Sequence, residues 1–147
     1  MALDEPSLPI PERTSPIGLE SYISGNTLIS GDGPAWKDVF VQVLSRNRVQ
    51  HPFLVPAVAE PLIVWIMSGS AMVEERDLRS EWTANRVEVG DFFLTCSPVP
   101  YEMRWQAEGE KTFRVMHLYV SVPLFERVAE AMHGKAGANV TLKDVSG

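Results

Sequence analysis

Few side chains of this sequence have the chemistry of catalysis, and the histidines are the first to consider. His117 lies in the middle of a predicted strand, where a neutral imidazole would act as a general base. The apolar residues Met116, Leu118 and Val120 alternate with it, and we expect them to face the interior. His117 is therefore predicted to point outwards, as a surface or interface residue.

The cysteine and the nearby carboxylates give no catalytic pair either. Cys96 ends a predicted strand without a histidine placed to activate it, so an inert buried thiol is expected. Asp91 follows a glycine at a tight turn and is predicted to bond neighbouring amides. Glu88 and Glu102 lie close to it in the sequence, but their strand positions give no clear inward direction. The sequence therefore predicts no catalytic residue.

Length, charge and cysteine content limit the class of molecule. The 147 residues suffice for one domain. With 19 acidic against 13 basic side chains, and a net charge of −6, the chain lacks the basic surface that binds nucleic acid. A single cysteine excludes an internal disulfide and a zinc site built on several thiolates. No basic region is followed by an apolar run near the start, so we expect a protein that is not secreted. The longest apolar run, 61–67, is far shorter than the roughly 20 residues of a membrane span. We expect a cytoplasmic protein with no membrane contact.

The N-terminal residues differ in composition from the rest. Residues 1–19 carry four of the eleven prolines, which disfavours regular helix or strand. We predict an N-terminal arm here, followed by a domain of residues 20–147. The arm is either a disordered tail or a segment that folds over a pocket. For the second alternative it has the apolar side chains Leu8, Ile10, Ile17 and Leu19. The sequence alone leaves both alternatives open.

The remaining sequence is a series of short apolar runs separated by turn residues, which is typical of antiparallel β structure. The stretch 86–105 shows this best. Gly90 and Asp91 mark one turn, Pro98 and Pro100 mark the next, and strands are predicted around them.

Helical spacing appears once, after the last predicted long strand. Apolar residues at positions i, i+3, i+4 and i+7 predict an amphipathic helix over 122–133. These residues are Phe125, Val128, Ala129 and Met132. Eight to ten short strands followed by one helix predict a mainly β fold, either a double-sheet jelly roll or a small barrel. Because the sequence stops without a natural ending, we expect a fragment of a longer protein.

Two features resemble the cupin superfamily: an apolar strand that closes on Ser68-Gly69, and the stretch 87–101 with its Gly-Asp turn and Pro-x-Pro corner. From about Trp36 to Gly147, the chain is more narrowly similar to the N-terminal, effector-binding and dimerisation half of AraC-type transcription regulators. The runs that carry this similarity are 61–69, 89–94 and 115–119. The resemblance implies a cupin-like jelly roll that binds an effector and forms a homodimer, while DNA is contacted by a helix-turn-helix domain absent from this sequence.

The resemblance also allows a test for a metal. Metal-binding cupins hold a divalent ion with three histidines and one glutamate from two motifs. With the closing glycine of the first motif set on Gly69, the ligand positions of that motif fall on Pro56, Val58 and Leu62. With the proline of the second motif set on Pro98, its histidine position falls on Met103. None of these four side chains binds a metal, so no metal and no other cofactor is expected.

Side chains at those ligand positions point into a cupin barrel, so the resemblance predicts a pocket lining. By strand alternation the lining consists of Leu62, Val64, Ile66, Tyr101, Met103 and Trp105. Whether these side chains enclose a cavity or fill the barrel is open at this point. A second set is predicted to face away from the barrel, towards the arm, the helix or another subunit: Ile63, Trp65, Met67, Phe125, Val128 and Met132.

The predicted function is therefore that of a sensor and dimerisation domain in an AraC-type regulator, with a small effector of unknown identity and no enzymatic activity. One alternative is a metal-independent cupin isomerase, epimerase or lyase that moves protons through His117, Tyr101 or Glu102. Two titratable groups directed into one pocket favour that alternative. Another alternative is a dimerisation module whose barrel is filled and binds no ligand.

Overall fold

The computed structural model of the protein describes residues 15–31, 37–95, 99–133 and 145–146. Within these residues it has two helices and ten strands. In chain order they are α1 (Pro16–Leu19), β1 (Asn26–Gly31), β2 (Val39–Ser45), β3 (Val49–Val55), β4 (Leu62–Ser68), β5 (Ser70–Arg76), β6 (Thr83–Glu88), β7 (Phe92–Thr95), β8 (Tyr101–Glu108), β9 (Arg114–Val120), α2 (Val122–His133) and β10 (Val145–Ser146). Among the described residues, no helix is long and apolar enough to cross a membrane.

The strands form two antiparallel sheets. The larger has the order β1-β2-β9-β4-β7-β10, and the smaller has the order β3-β8-β5-β6. The three strands predicted in the stretch 86–105 are β6, β7 and β8, and the chain changes sheet at both turns because β7 belongs to the larger sheet. The predicted mainly β, double-sheet architecture is confirmed, as is the helix α2 with its predicted bounds.

Proline marks an edge of the smaller sheet. Strand β3 contains Pro52 and lies at the end of the sheet order, with β8 as its neighbour. Its register with β8 shifts between Gln50 and Phe53, at the position of the proline. A proline has no amide hydrogen to donate to a ladder, so a strand that contains one is tolerated at an edge or a bulge.

The core lies between the two sheets. Ile66 and Val115 of the larger sheet pack with Val87 and Trp105 of the smaller sheet. A neighbouring cluster joins Leu62 and Tyr119 to Leu19, the last residue of α1. The N-terminal segment is thus attached to the same interior that the strands enclose.

Strand β9 has the opposite orientation to the predicted one. Val115, His117 and Tyr119 are buried, whereas residues 116, 118 and 120 are half-buried on the other face. The prediction that His117 points outwards is wrong, because both faces of this strand are apolar and hydrophobicity gives no direction. The register decides the orientation: His117 lies opposite Val64 of β4, and directly paired residues of antiparallel strands share a face of the sheet.

Candidate functional site

A cavity of about 250 Å³ lies between the two sheets. Strands of both sheets supply its walls, and the N-terminal segment supplies two further side chains. The lining is mostly apolar and consists of Leu19, Ile23, Arg46, Val55, Leu62, Val64, Ile66, Val73, Glu75, Asn85, Phe93, Leu94, Thr95, Tyr101, Met103, Trp105, Phe113, Val115 and His117.

All six residues predicted to line a pocket lie on this cavity. They come from two strands, one in each sheet, and they alternate along them as a strand requires. Leu62, Val64 and Ile66 are on β4, and Tyr101, Met103 and Trp105 are on β8. The space is not filled by side chains, as the alternative of a packed barrel would require. That these six residues contact a ligand stays a prediction.

The polar end of the site is a buried cluster of Glu20, Arg46 and His117, and Arg46 and His117 line the cavity. The guanidinium of Arg46 donates two hydrogen bonds to the Glu20 carboxylate, at 2.8 and 3.1 Å. Its Nη2 also lies 3.4 Å from Nε2 of His117. The side chains are almost closed to solvent, with 4% of Arg46, 14% of Glu20 and 7% of His117 exposed.

These contacts fix the protonation state of His117. Arginine can only donate a hydrogen bond, so Nε2 of His117 must accept, and the ring proton of the neutral form lies on Nδ1. Burial holds the pKa of His117 well below its usual value, and the positive charge of Arg46 lowers the pKa further. His117 is therefore neutral near pH 7.

The Nδ1–H of His117 is left without a partner. It lies 3.7 Å from Oε1 of Glu20, which is beyond hydrogen-bond distance, and no other acceptor in the described residues reaches it. A buried donor without an acceptor costs about 1–3 kcal/mol. The cavity wall thus carries one unsatisfied donor beside a paired arginine, and a ligand with an acceptor group would remove that cost.

Sequence reasoning missed this cluster, although a signal for it exists. Gln42 lies opposite His117 in the register of β2 and β9, and Arg46 follows it at the same strand parity. Polar residues on one parity of two adjacent strands indicate a polar inner patch, and both residues are buried. Only the pairing of the two strands, which the sequence does not state, makes the signal readable.

The other residues weighed for chemistry lie elsewhere. Asp91 accepts a hydrogen bond from the backbone N–H of Glu88 at 2.9 Å, which confirms its predicted turn role. Glu102 was considered as a proton-transfer group, but it lies outside the cavity lining in an ion pair with Arg76 at 3.0 Å. Glu88 is exposed beside Arg86. Cys96 falls outside the described residues.

The predicted contact surface is partly open in the single chain. Trp65, Met67, Val128 and Met132 are exposed, whereas Ile63 and Phe125 are half-buried. An interface role for these six residues stays a prediction.

The described part of the predicted arm folds over the cavity. Helix α1 is capped by the hydroxyl of Ser15, which accepts from the Gly18 N–H at 3.0 Å. Leu19 is buried and lines the cavity. Ile23, in the following turn, also lines the cavity and is half-buried. Of the two alternatives for the arm, this part follows the second, and residues 1–14 lie outside the described chain.

No family model and no curated protein matches this chain. Solved structures do match. A single-residue variant of apo ToxT from Vibrio cholerae strain SCE256 gives a TM-score of 0.55 at 12% identity, over 76% of this chain and 42% of that chain. ToxT is a regulator of the AraC family.

Cupin enzymes match as well. A putative mannose-6-phosphate isomerase from Ralstonia eutropha JMP134 gives a TM-score of 0.48 at 15% identity, over 67% of this chain and 83% of that chain. Oxalate decarboxylase from Bacillus subtilis, in a structure at pH 4.6, gives a TM-score of 0.44 at 15% identity, over 69% of this chain and 29% of that chain. The chain spans less than a third of the length of that decarboxylase and less than half of ToxT.

The prediction that the chain is not an enzyme is wrong, because enzymes are among the structures that match it. The structure removes a premise of that prediction too, since the titratable side chains of His117 and Glu75 both line the cavity. The chain has a mainly β, cupin-like fold of two antiparallel sheets and a helix, a fold found in cupin enzymes and in the AraC-family regulator ToxT.

Proposed function

We propose that this domain senses a small effector, as the effector-binding and dimerisation domain of an AraC-type transcription regulator. The observation that carries the proposal is the cavity of about 250 Å³ between the sheets, with one polar cluster on its wall. The shared fold with ToxT supports the regulator class. In such a regulator a separate domain contacts DNA, which is compatible with the net charge of −6 of this chain.

The cavity has the composition of a small-molecule site. Ligand sites are concave and mostly apolar, with a few polar groups that fix the orientation of the ligand. Here Val64, Phe93 and Trp105 are among the apolar walls, and Arg46 and His117 are polar. The effector would be a small molecule with an apolar body.

The N-terminal segment is the part of this domain that effector binding would move. Leu19 and Ile23 line the cavity, and Glu20 between them is tied to Arg46. An effector that occupies the cavity contacts this segment or displaces it. Effector binding then shifts the population of segment arrangements, provided that one arrangement binds the effector better.

Effector binding is testable by thermal unfolding with a panel of small metabolites. A compound present at about 100 times its Kd adds about 2.7 kcal/mol to the free energy of unfolding. Val73→Trp, which places a large side chain in the cavity, should abolish this stabilisation. Met72→Trp is the matched control, because Met72 is the preceding residue of β5, is exposed and lies outside the lining. A panel without any stabilising compound, or an unchanged response of Val73→Trp, would contradict the proposal.

Dimerisation is part of the same proposal. Trp65 and Met67 are exposed on β4, and Val128 and Met132 are exposed on α2. Exposed Trp and Met side chains are enriched in protein interfaces, and Trp in particular carries much of the binding energy there.

Replacement of Trp65 by glutamate should weaken the homodimer. The expected rise in its Kd is roughly 30-fold, the equivalent of about 2 kcal/mol. Sedimentation over a range of concentrations measures this, with Leu78→Glu as control because Leu78 is similarly exposed but lies outside the predicted surface. A wild-type chain that stays monomeric, or equal effects of the two substitutions, argues against this surface.

A second candidate is a metal-independent cupin enzyme, and one observation favours it: His117 and Glu75 line one cavity. Neutral His117 donates a hydrogen bond through Nδ1–H, which polarises a substrate carbonyl, and a carboxylate then takes a proton from the adjacent carbon. Glu75 supplies the carboxylate in this scheme. Among the described residues, no group of three or more His, Cys, Asp or Glu side chains is placed to hold a metal ion.

This candidate predicts that a bound carbonyl compound exchanges its α-hydrogens with D2O. Glu75→Gln should slow the exchange by at least about 100-fold, the range of general-base contributions, while ligand affinity stays within a few-fold. NMR of the compound measures both the exchange and its binding. Exchange at the solvent rate with the wild-type protein excludes this chemistry for the compounds tested.

The low pKa of His117, which lines the cavity in both candidates, makes stability depend on pH. The unfolded chain takes up a proton on this residue below about pH 6.5, whereas the folded chain does not. The folded state is therefore fully stabilised above that pH and loses stability as the pH falls towards the folded pKa. The loss from this residue is on the order of 1 kcal/mol between pH 7.5 and 5.5.

Urea unfolding of the wild type and of His117→Leu at the two pH values isolates this contribution. The wild type should lose more stability than His117→Leu, by on the order of 1 kcal/mol. His51→Gln is the control, because it also removes a histidine but one that is exposed and lies outside the cavity lining. An equal loss in the wild type and His117→Leu means that His117 takes up its proton in the folded chain at the same pH as in the unfolded chain, which contradicts the lowered pKa.

A further inference from the structure

We propose that the effector is a small carboxylate that replaces Glu20 on Arg46, accepts the free Nδ1–H of His117, and so detaches the N-terminal segment that carries Glu20. The inference rests on the proposed sensing function and names the ligand class and the regulation of the same cavity.

The two partners of the buried ion pair are anchored very differently. Arg46 directly follows β2, and its backbone N–H donates to the carbonyl of Phe113 at 2.8 Å, so it belongs to the frame of the larger sheet. Glu20 follows a helix of only four residues, which is held by local bonds such as Leu19 N–H to the Ser15 carbonyl at 2.9 Å. Pairing with a sheet begins at Asn26. The segment of Glu20 is held by the burial of Leu19 and a 3.5 Å bond from Arg46 to the Ser24 carbonyl, without strand pairing. Of the two charged residues, Glu20 is therefore the less firmly anchored.

The unsatisfied donor of His117 faces the oxygen that would be replaced. Oε1 of Glu20 lies 3.1 Å from Nη2 of Arg46 but 3.7 Å from Nδ1 of His117. A normal N–H···O separation is about 2.9 Å, so this oxygen lies ~0.8 Å too far from the imidazole. A ligand carboxylate is not tethered to the chain. It can lie closer to the imidazole and accept hydrogen bonds from both Nη2 of Arg46 and Nδ1 of His117, whereas Glu20 accepts only from Arg46.

At the end of the cavity formed by Arg46 and His117, charge selects a carboxylate over neutral and cationic ligands. Exchange of one carboxylate for another leaves Arg46 paired, whereas removal of its partner alone would leave a buried and uncompensated charge, which is strongly destabilising. A neutral amide cannot neutralise the guanidinium, so Glu20 has to stay. A protonated amine would be repelled by the positive charge of Arg46. Only an anion gains from both the arginine and the imidazole donor.

The cavity sets the size of the ligand. Its 250 Å³ corresponds to roughly eight water molecules at about 30 Å³ each. A ligand of roughly ten non-hydrogen atoms fits, and the apolar walls call for a hydrocarbon or aromatic body. Phenylacetate meets both conditions and serves as the probe. Phenylacetamide and phenethylamine are its neutral and cationic counterparts with nearly the same shape.

Titration calorimetry with these three probes tests the charge preference. The wild-type protein should bind phenylacetate at least ten times more tightly than the amide or the amine. Glu20→Gln removes the competitor of the ligand and should bind phenylacetate at least ten times more tightly than the wild type, with no gain for the amide. Glu74→Gln is the matched control, because Glu74 is ion-paired with Arg104 outside the cavity lining, and it should bind as the wild type does.

Hydrogen exchange tests the release of the segment. The amides of Leu19 and Tyr22 are hydrogen-bonded within it, and their exchange in the wild type should become at least several-fold faster when phenylacetate is bound. Circular dichroism checks that Glu20→Gln folds. If it does not, Glu20→Asp, whose carboxylate is one methylene shorter, should show the same tighter binding to a smaller extent.

Equal binding of phenylacetate and phenylacetamide by the wild type overturns the inference, as does a Glu20 variant that folds and binds phenylacetate no better. If a neutral compound stabilises the protein and no carboxylate binds to either form, this inference fails and the sensing function stands. If no compound of any class binds, both fail.

Discussion

A buried guanidinium has to be paired, and this requirement organises the interior of the protein. Arg46 is placed among apolar side chains by the strand that precedes it, and its charge is neutralised by Glu20 from the N-terminal segment. Loss of one partner from such a pair costs about 3–5 kcal/mol, even where the pair as a whole adds little to stability. The short segment is therefore held over the cavity by charge as well as by the burial of Leu19.

The same pair shapes the chemistry of the site. Because Arg46 can only donate, it fixes the tautomer of His117, and its charge helps to keep the imidazole neutral with its proton on Nδ1, the ring nitrogen without a partner. The fold is common to regulators and enzymes, so the site has to carry the functional argument. Two positions at which metal-binding cupins place ligands, Leu62 and Met103, form cavity wall here. Polar groups reach the cavity wall instead from Arg46, directly after β2, and from His117 on β9, strands that are neighbours through pairing and not through sequence.

The sequence by itself determined most of the secondary structure and part of the cavity lining. Short apolar runs bounded by glycine and proline indicated the strands, and a 3.6-residue period indicated α2, whereas α1 was not predicted. The resemblance to cupins, together with alternation along β4 and β8, pointed to six of the residues that lie on the cavity. These features are local, because the backbone of a strand or helix fixes the direction of each side chain relative to its neighbours. Where one face of a strand is distinctly more apolar, its orientation follows as well.

Only the tertiary structure decided the rest. Strand β9 is apolar on both faces, so its orientation depends on the register with β4. The same register decides that His117 faces the interior. The ion pair of Glu20 with Arg46 joins residues 26 positions apart. The sequence next to either residue does not indicate that its charge is buried. Such contacts arise from the packing of distant segments, where the energy of a charge depends on what surrounds it in space, and the sequence around each residue does not contain that information.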